Sequence, residues 1–327
     1  MQMEHLLEVH GLTTHFFGAG RVVKAVDGVD LTVRRGETVG IVGETGCGKS
    51  VMALSVMRLI PWPPGKIVSG SVIFRGEDLL AKSELEMRAI RGRKISMIFQ
   101  EPRTSMNPVF RIGQQMAEVI MLHQGLPRRQ ALQKAVEMLE RVNIAEAGRV
   151  ISLYPHELSG GMLQRAMIAM ELSCNPALLF ADEPTTALDV TIQAQILRLL
   201  KELQAQMETA IVFITHDLGV VAQVCDRIMV MYAGRFVESA SVEDLFEEPL
   251  HPYTRGLLGA IPLLDAAQEK LTIIPGGLPD LSQPLPGCRF LPRCEHGNDR
   301  CRVLPYEMIE IKPGHEVASC RLCGASN

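Results

Sequence analysis

Thr38-Val39-Gly40-Ile41-Val42-Gly43-Glu44-Thr45-Gly46-Cys47-Gly48-Lys49-Ser50 is the stretch whose reading decides the fold. Residues 38–42 form a short apolar run of strand length, residues 43–50 fit the pattern G-x-x-x-x-G-K-[ST], and residues 50–59 carry apolar side chains at helical spacing. Strand, glycine-rich loop and helix in that order make a phosphate-binding unit. The glycines Gly43, Gly46 and Gly48 let backbone N–H groups converge on phosphate oxygens, and the helix N-terminus adds a favourable dipole. In this reading Lys49 reaches the β- and γ-phosphates of a nucleotide and Ser50 ligates Mg²⁺, with Glu44, Thr45, Cys47 and Val51 completing the binding loop. The loop alone says only that some nucleotide binds.

Outward from it, residues 6–17, 24–33 and 71–74 alternate β-prone runs with Gly and Asp turns, which predicts an antiparallel sheet. Apolar strands follow at 95–99, 177–181, 210–215 and 227–232, with helical patterns such as 192–206 between some of them. That alternation predicts an α/β fold whose parallel sheet is covered on both faces. Residues from about 101 to 165 show helical spacing through 112–122 and 129–142 and no comparable strand, so they read as a helical insertion. After residue 262 the composition shifts to Pro, Gly and Cys. The expected organisation is a nucleotide-binding domain over 1–262 and a loop-rich extension over 263–327.

A length of 327 residues, 47% apolar and 21% charged, suits a folded chain with a sizeable core. The net charge of −4 gives no global basic footprint for nucleic acid, and the basic cluster at 88–94 reads as a solvated face. No apolar run approaches the roughly 18–20 residues needed to cross a bilayer. Met1-Gln2-Met3-Glu4-His5 has neither the cationic start nor the apolar stretch of a signal peptide. A cytosolic protein is expected, whose membrane role, if it has one, comes through partner subunits.

Downstream, Leu178-Leu179-Phe180-Ala181-Asp182-Glu183-Pro184 is an apolar strand ending in two acids. Asp182 is placed to serve Mg²⁺, and Glu183 to orient and polarise an attacking water. Between this segment and the phosphate loop lies Leu158-Ser159-Gly160-Gly161-Met162-Leu163-Gln164-Arg165, which resembles the signature sequence of ATP-binding cassette (ABC) ATPases. The resemblance implies a RecA-like parallel core with an antiparallel β subdomain and a helical subdomain. It implies that Ser159, Gly160, Gly161 and Met162 close on ATP held by a second cassette. Gln100 resembles the Q-loop glutamine that contacts Mg²⁺ or water, Ala187-Leu188-Asp189 the D-loop, and His216 the switch histidine. Phe16 is the candidate for stacking on adenine, with Phe17 the runner-up. Met162 stands where the usual signature has Gln, and Cys47 in the loop suggests that ATP binding responds to thiol reagents.

The loop and signature are about 110 residues apart without a coiled-coil insertion, and one cassette is present. His251-Pro252-Tyr253-Thr254-Arg255-Gly256-Leu257-Leu258, Ile274-Pro275-Gly276, Gly287-Cys288-Arg289-Phe290 and Arg293-Cys294 resemble the oligopeptide/dipeptide/nickel importer ATPases, where Met162 is common. This implies two membrane permease subunits, a second and related ATPase subunit, an extracytoplasmic solute-binding protein, no nucleic acid, and a place on the cytoplasmic face of the bacterial inner membrane. Nickel, a glycoside or another solute could replace peptide, and a soluble ABC ATPase acting on nucleic acid or ribosomes is a distant alternative. Cys288, Cys294, Cys301 and Cys320 are spaced C-x5-C-x6-C-x18-C, with Cys323 a substitute ligand. Four thiolates suit [4Fe–4S] or tetrahedral Zn²⁺, and spacing does not choose between them. The family resemblance favours a structural [4Fe–4S] cluster.

Overall fold

Period-2 burial builds the first sheet. In strand Arg21–Arg34, Val29, Leu31 and Val33 are buried while Asp30 and Arg34 face water, as a half-buried strand requires. The computed structural model describes residues 5–18, 20–186, 188–260, 274–303 and 305–318. These divide into two compact units, one of Arg34–Glu37 with Ala81–Phe213 and one of His5–Val33, Thr38–Leu80 and the described residues from Ile214 onward.

In the second unit, the expected antiparallel sheet has four strands in the order Arg21–Arg34, His5–Gly18, Gly65–Phe74 and Glu77–Asp78. His5–Gly18 pairs antiparallel with Gly65–Phe74, setting Leu7 opposite Phe74 and Val9 opposite Val72. The strand expected at 71–74 begins nine residues before its end, at Gly65, because its first half is largely exposed and lacks an apolar alternation.

A further sheet in this unit is built on Thr38–Val42, every residue of which is buried. It pairs in parallel with Arg227–Tyr232, Val42 lying opposite Val230. Arg235–Ser241 then folds back antiparallel on Arg227–Tyr232 through a tight turn, with Ala233 at φ 49° and Gly234 at φ 84°. His315–Ala318 pairs with Arg235–Ser241 and Met308–Lys312 with His315–Ala318, all antiparallel. Part of the extension read as loop-rich is therefore a hairpin, and this sheet is mixed rather than wholly parallel. Arg235–Ser241 escapes sequence reading because it hides a carboxylate: Glu238 is fully buried, accepting from Leu250 N–H at 2.7 Å and His251 N–H at 2.8 Å and pairing with His315 Nε2 at 2.8 Å.

In the first unit, Ile95–Ile98 and Leu178–Asp182 pair in parallel, and Ala210–Thr215 adjoins the latter. The region expected to be helical contains Ile112–Gln124 and Arg128–Arg141, packed as a helical hairpin. Ile112, Met116, Ala117 and Ile120 form the buried stripe of the former, and Ala131, Ala135, Met138 and Leu139 that of the latter. Gly125, at φ 67°, ends the first helix in the left-handed conformation that glycine accepts without penalty.

Candidate functional site

The phosphate loop lies in the second unit, between strand Thr38–Val42 and helix Lys49–Val56. Two of its glycines are required by contact. A Cβ on Gly43 would collide with the Met231 carbonyl oxygen, and one on Gly48, at φ 112°, with that of Ala25. The Cys47 carbonyl accepts from Gly234 N–H at 2.7 Å, and the Glu44 N–H donates to Tyr253 Oη at 2.8 Å, so the loop is anchored on both flanks. Lys49 Nζ donates to the carbonyls of Gly43 at 2.7 Å and Glu44 at 3.1 Å, folding its ammonium back over the loop. Thr45 and Gly46, at the apex, are exposed, while Ser50 and Val51 are half-buried on the first helical turn. Cys47 is fully buried, and burial pushes its thiol pKa up despite the Lys49 charge. A buried, protonated thiol is a poor nucleophile, which argues against the expected sensitivity to thiol reagents.

Phe16 is half-buried, and its ring lies over Gly65, where a Cβ would meet Phe16 Cε1 at 2.8 Å. Phe17 faces the other way in the same strand, 39% exposed and edge-on to Trp62 at 6.2 Å between ring centroids. His216 belongs to this unit too, exposed just beyond strand Ala210–Thr215.

Gln100, Asp182, Glu183, Ser159, Gly160, Gly161, Met162 and Asp189 lie in the first unit. Asp182, buried, closes strand Leu178–Asp182, and Glu183 follows at φ 46°. A non-glycine residue in the left-handed region is held there by its surroundings, and such strain gathers at functional sites. Two donors fix the Glu183 carboxylate: Gln100 Nε2 reaches Oε2 at 3.0 Å and Thr186 Oγ1 reaches the same oxygen at 2.8 Å. Gln100 and Glu183, 83 residues apart, are thus brought together. The strand before Gln100 ends at Ile98 rather than 99, since Phe99 is already exposed. Thr186 was not singled out by sequence; its spacing three after Glu183, in a turn, was the available signal.

Ser159 caps helix Gly160–Leu172, its Oγ accepting from Met162 N–H at 3.4 Å. Ser159 and Gly160 are exposed, so the first amides of a 13-residue helix face outward with a hydroxyl beside them. Gly161 packs on Ile192, whose Cγ2 would lie 3.0 Å from an added Cβ. Asp189 caps helix Val190–Met207 by accepting from Ile192 N–H at 2.9 Å. Ala187 lies outside the described residues. The donors assigned to Mg²⁺ (the Ser50 hydroxyl, Gln100 amide and Asp182 carboxylate) are all oxygen donors, which suits a hard cation.

In the C-terminal region, Cys301 is buried with Cys288 packed against it, and Cys288 N–H donates to the Cys301 carbonyl at 2.8 Å. Cys294 ends the short helix Leu291–Arg293. Among the described residues no three His, Cys, Asp or Glu side chains converge as a metal site. Cys320 and Cys323 lie outside the described residues, so the described cysteines by themselves do not make a cluster site.

Residues 26–186 match the ABC transporter family model, and residues 237–301 match the model of the oligopeptide/dipeptide transporter C-terminal region. Among relatives, "Probable peptide ABC transporter ATP-binding protein y4tR" of Sinorhizobium fredii is 55% identical over 97% of this chain and 95% of its own length. The oligopeptide transport ATP-binding protein AppD of Bacillus subtilis is 51% identical, covering 96% of each chain. Among solved structures, the dimeric post-hydrolysis state of the ATP-binding cassette MJ0796 bound to ADP and Pi superposes with a TM-score of 0.65 at 26% identity, covering 72% of this chain and 98% of that one.

Proposed function

We propose, from the premise that this chain belongs to the ABC transporter family and to its oligopeptide/dipeptide branch, that it is the ATP-hydrolysing subunit of an importer of short peptides. The observation that carries the enzymatic part is Glu183. Its carboxylate follows the strand-end Asp182 and is oriented by Gln100 at 3.0 Å and Thr186 at 2.8 Å. A carboxylate held in one orientation is suited to align a water for in-line attack on a γ-phosphate, and phosphoryl transfer asks for little beyond positioning and charge neutralisation.

In this reading residues 43–51 cradle the triphosphate with Lys49 on its outer phosphates, and Phe16 supports adenine. Ser50, Gln100 and Asp182 would hold Mg²⁺, which when bound neutralises phosphate charge. Ser159, Gly160, Gly161 and Met162 offer their hydroxyl and amides to the nucleotide of a second cassette, with Asp189 at that interface. His216 takes the switch-histidine role, as its place just after strand Ala210–Thr215 suggests. Closure of two cassettes on two nucleotides, and reopening after hydrolysis, would drive two permease subunits fed by an extracytoplasmic solute-binding protein. The second ATPase is a related chain, and the pair sits on the cytoplasmic face of the bacterial inner membrane. No helix among the described residues is long and apolar enough to cross a membrane. The cassette occupies 1–262, with its helical subdomain near 101–165, and the branch-specific extension 263–327.

The extension is also assigned a structural [4Fe–4S] cluster on Cys288, Cys294, Cys301 and Cys320, supported by the packing of Cys288 against Cys301. Anaerobic purification followed by iron and sulfide analysis tests it: about four irons per chain is expected, and protein lacking iron overturns it. The transport reading is tested by reconstituting the chain with its permeases and binding protein in vesicles. ATP-dependent uptake of labelled oligopeptide is expected. ATP turnover with uptake of nickel or a glycoside instead would reassign the solute.

A further inference from the structure

Glu44, second residue of the phosphate loop, carries a carboxylate where a triphosphate is to be bound, and that charge is met from the C-terminal region. Arg293 Nη1 donates to Glu44 Oε2 at 2.7 Å and Nη2 to Oε1 at 3.0 Å, a bidentate pair. The Arg293 side chain is 4% exposed and that of Glu44 31%. Arg293 Nε also donates to the Pro275 carbonyl at 2.7 Å, and the guanidinium lies 5.8 Å from the Tyr232 ring centroid and 5.9 Å from that of Phe290. The guanidinium is therefore fixed by its own surroundings and pre-aimed at Glu44. These contacts hold its pKa above the usual arginine value, the Glu44 hydrogen bonds contributing most.

The Glu44 backbone is held independently, its N–H donating to Tyr253 Oη at 2.8 Å. Arg289 makes another tie from the C-terminal region. It donates to Asp27 and to the Ala233 carbonyl, and the neighbouring Gly234 N–H bonds the Cys47 carbonyl at 2.7 Å.

We propose that Arg293 is a positioning residue for nucleotide binding: it neutralises Glu44 and fixes the start of the phosphate loop, so that the C-terminal region sets the loop's affinity for a nucleoside triphosphate. The inference rests on the ATPase reading above and adds to it a dependence of the nucleotide site on a segment outside the loop. Without the guanidinium, the Glu44 carboxylate is left partly desolvated beside incoming phosphates, and like charges repel.

The test uses the full chain carrying Arg293→Met, Glu44→Gln or both, with equilibrium binding of a fluorescent ATP analogue in Mg²⁺ and steady-state ATPase. Arg293→Met is expected to raise Kd and KM by roughly tenfold, within the range of ordinary coupling between sites, with a smaller change in kcat. Adding Glu44→Gln to that variant removes the exposed charge and is expected to recover most of the loss, a non-additivity that packing alone does not produce. Kd within twofold of wild type for Arg293→Met, or no recovery in the double variant, overturns the inference. Should Arg293→Met fail to fold, Arg293→Gln removes the charge while keeping a polar side chain, and the same recovery by Glu44→Gln is required. Wild-type protein that neither binds nor hydrolyses ATP would instead refute the underlying reading.

Discussion

Acid should weaken this fold through one imidazole. His251 is 1% exposed, and its Nδ1 accepts from Tyr253 N–H at 3.1 Å, capping helix Pro252–Gly259. An imidazolium bears a proton on both nitrogens and cannot accept that bond. Burial first, and the Arg255 charge second, push the His251 pKa from 6.5 down to about 3. Between those values the unfolded chain takes up a proton that the folded chain refuses. The stabilisation is therefore complete above pH 6.5 and is lost as pH falls toward 3. At about 1.4 kcal/mol per pH unit, the loss between pH 8 and pH 5 is about 2 kcal/mol. His251→Asn keeps a side-chain acceptor and removes the titration. Urea unfolding followed by fluorescence of Trp62, the one tryptophan and part of the same unit, compares the two proteins at both pH values. The wild-type-minus-variant difference in unfolding free energy is expected to move by about 2 kcal/mol against wild type at the lower pH. Parallel pH profiles, or an imidazole NMR signal that titrates near pH 6.5 in the native protein, would refute the reasoning.

Two other substitutions probe the phosphate loop and the Glu183 carboxylate, each within its own unit. Gly48→Ala forces a Cβ into the Ala25 carbonyl at φ 112°. Backbone strain of about 1–3 kcal/mol should lower the melting temperature and abolish measurable binding of an ATP analogue, both read by thermal melts with and without ligand. Thr186→Val removes the 2.8 Å bond to Glu183 Oε2 and keeps that of Gln100 to the same oxygen. Steady-state kinetics should show kcat falling about tenfold, the equivalent of about 1.4 kcal/mol of lost orientation, with KM for ATP little changed.

How much could be read from the sequence follows from how local each requirement is. The phosphate loop is legible because its glycines, lysine and serine are contiguous and flanked by a buried strand and a helix. Helix Ile112–Gln124 is legible because Ile112, Met116 and Ile120 recur on one face. Arg235–Ser241 is not, because the partners that make a buried Glu238 tolerable are Leu250, His251 and His315, up to 77 residues away. The motif order named Gln100 and Glu183, but not the bond between them or the part of Thr186, whose spacing three after Glu183 is too common in turns to single it out. Arg293 and Tyr253 were visible only as family marks; their grip on Glu44 spans 249 and 209 residues.

The most direct test of the central claim, that a polarised water at Glu183 drives ATP hydrolysis in a two-cassette machine, is turnover by Glu183→Gln within the assembled transporter. The amide keeps the side chain's shape and loses its ability to take a proton. The account predicts that the variant binds ATP, loses hydrolysis by at least about a hundredfold, and holds its two cassettes closed in Mg²⁺-ATP. Hydrolysis at the wild-type rate would contradict it.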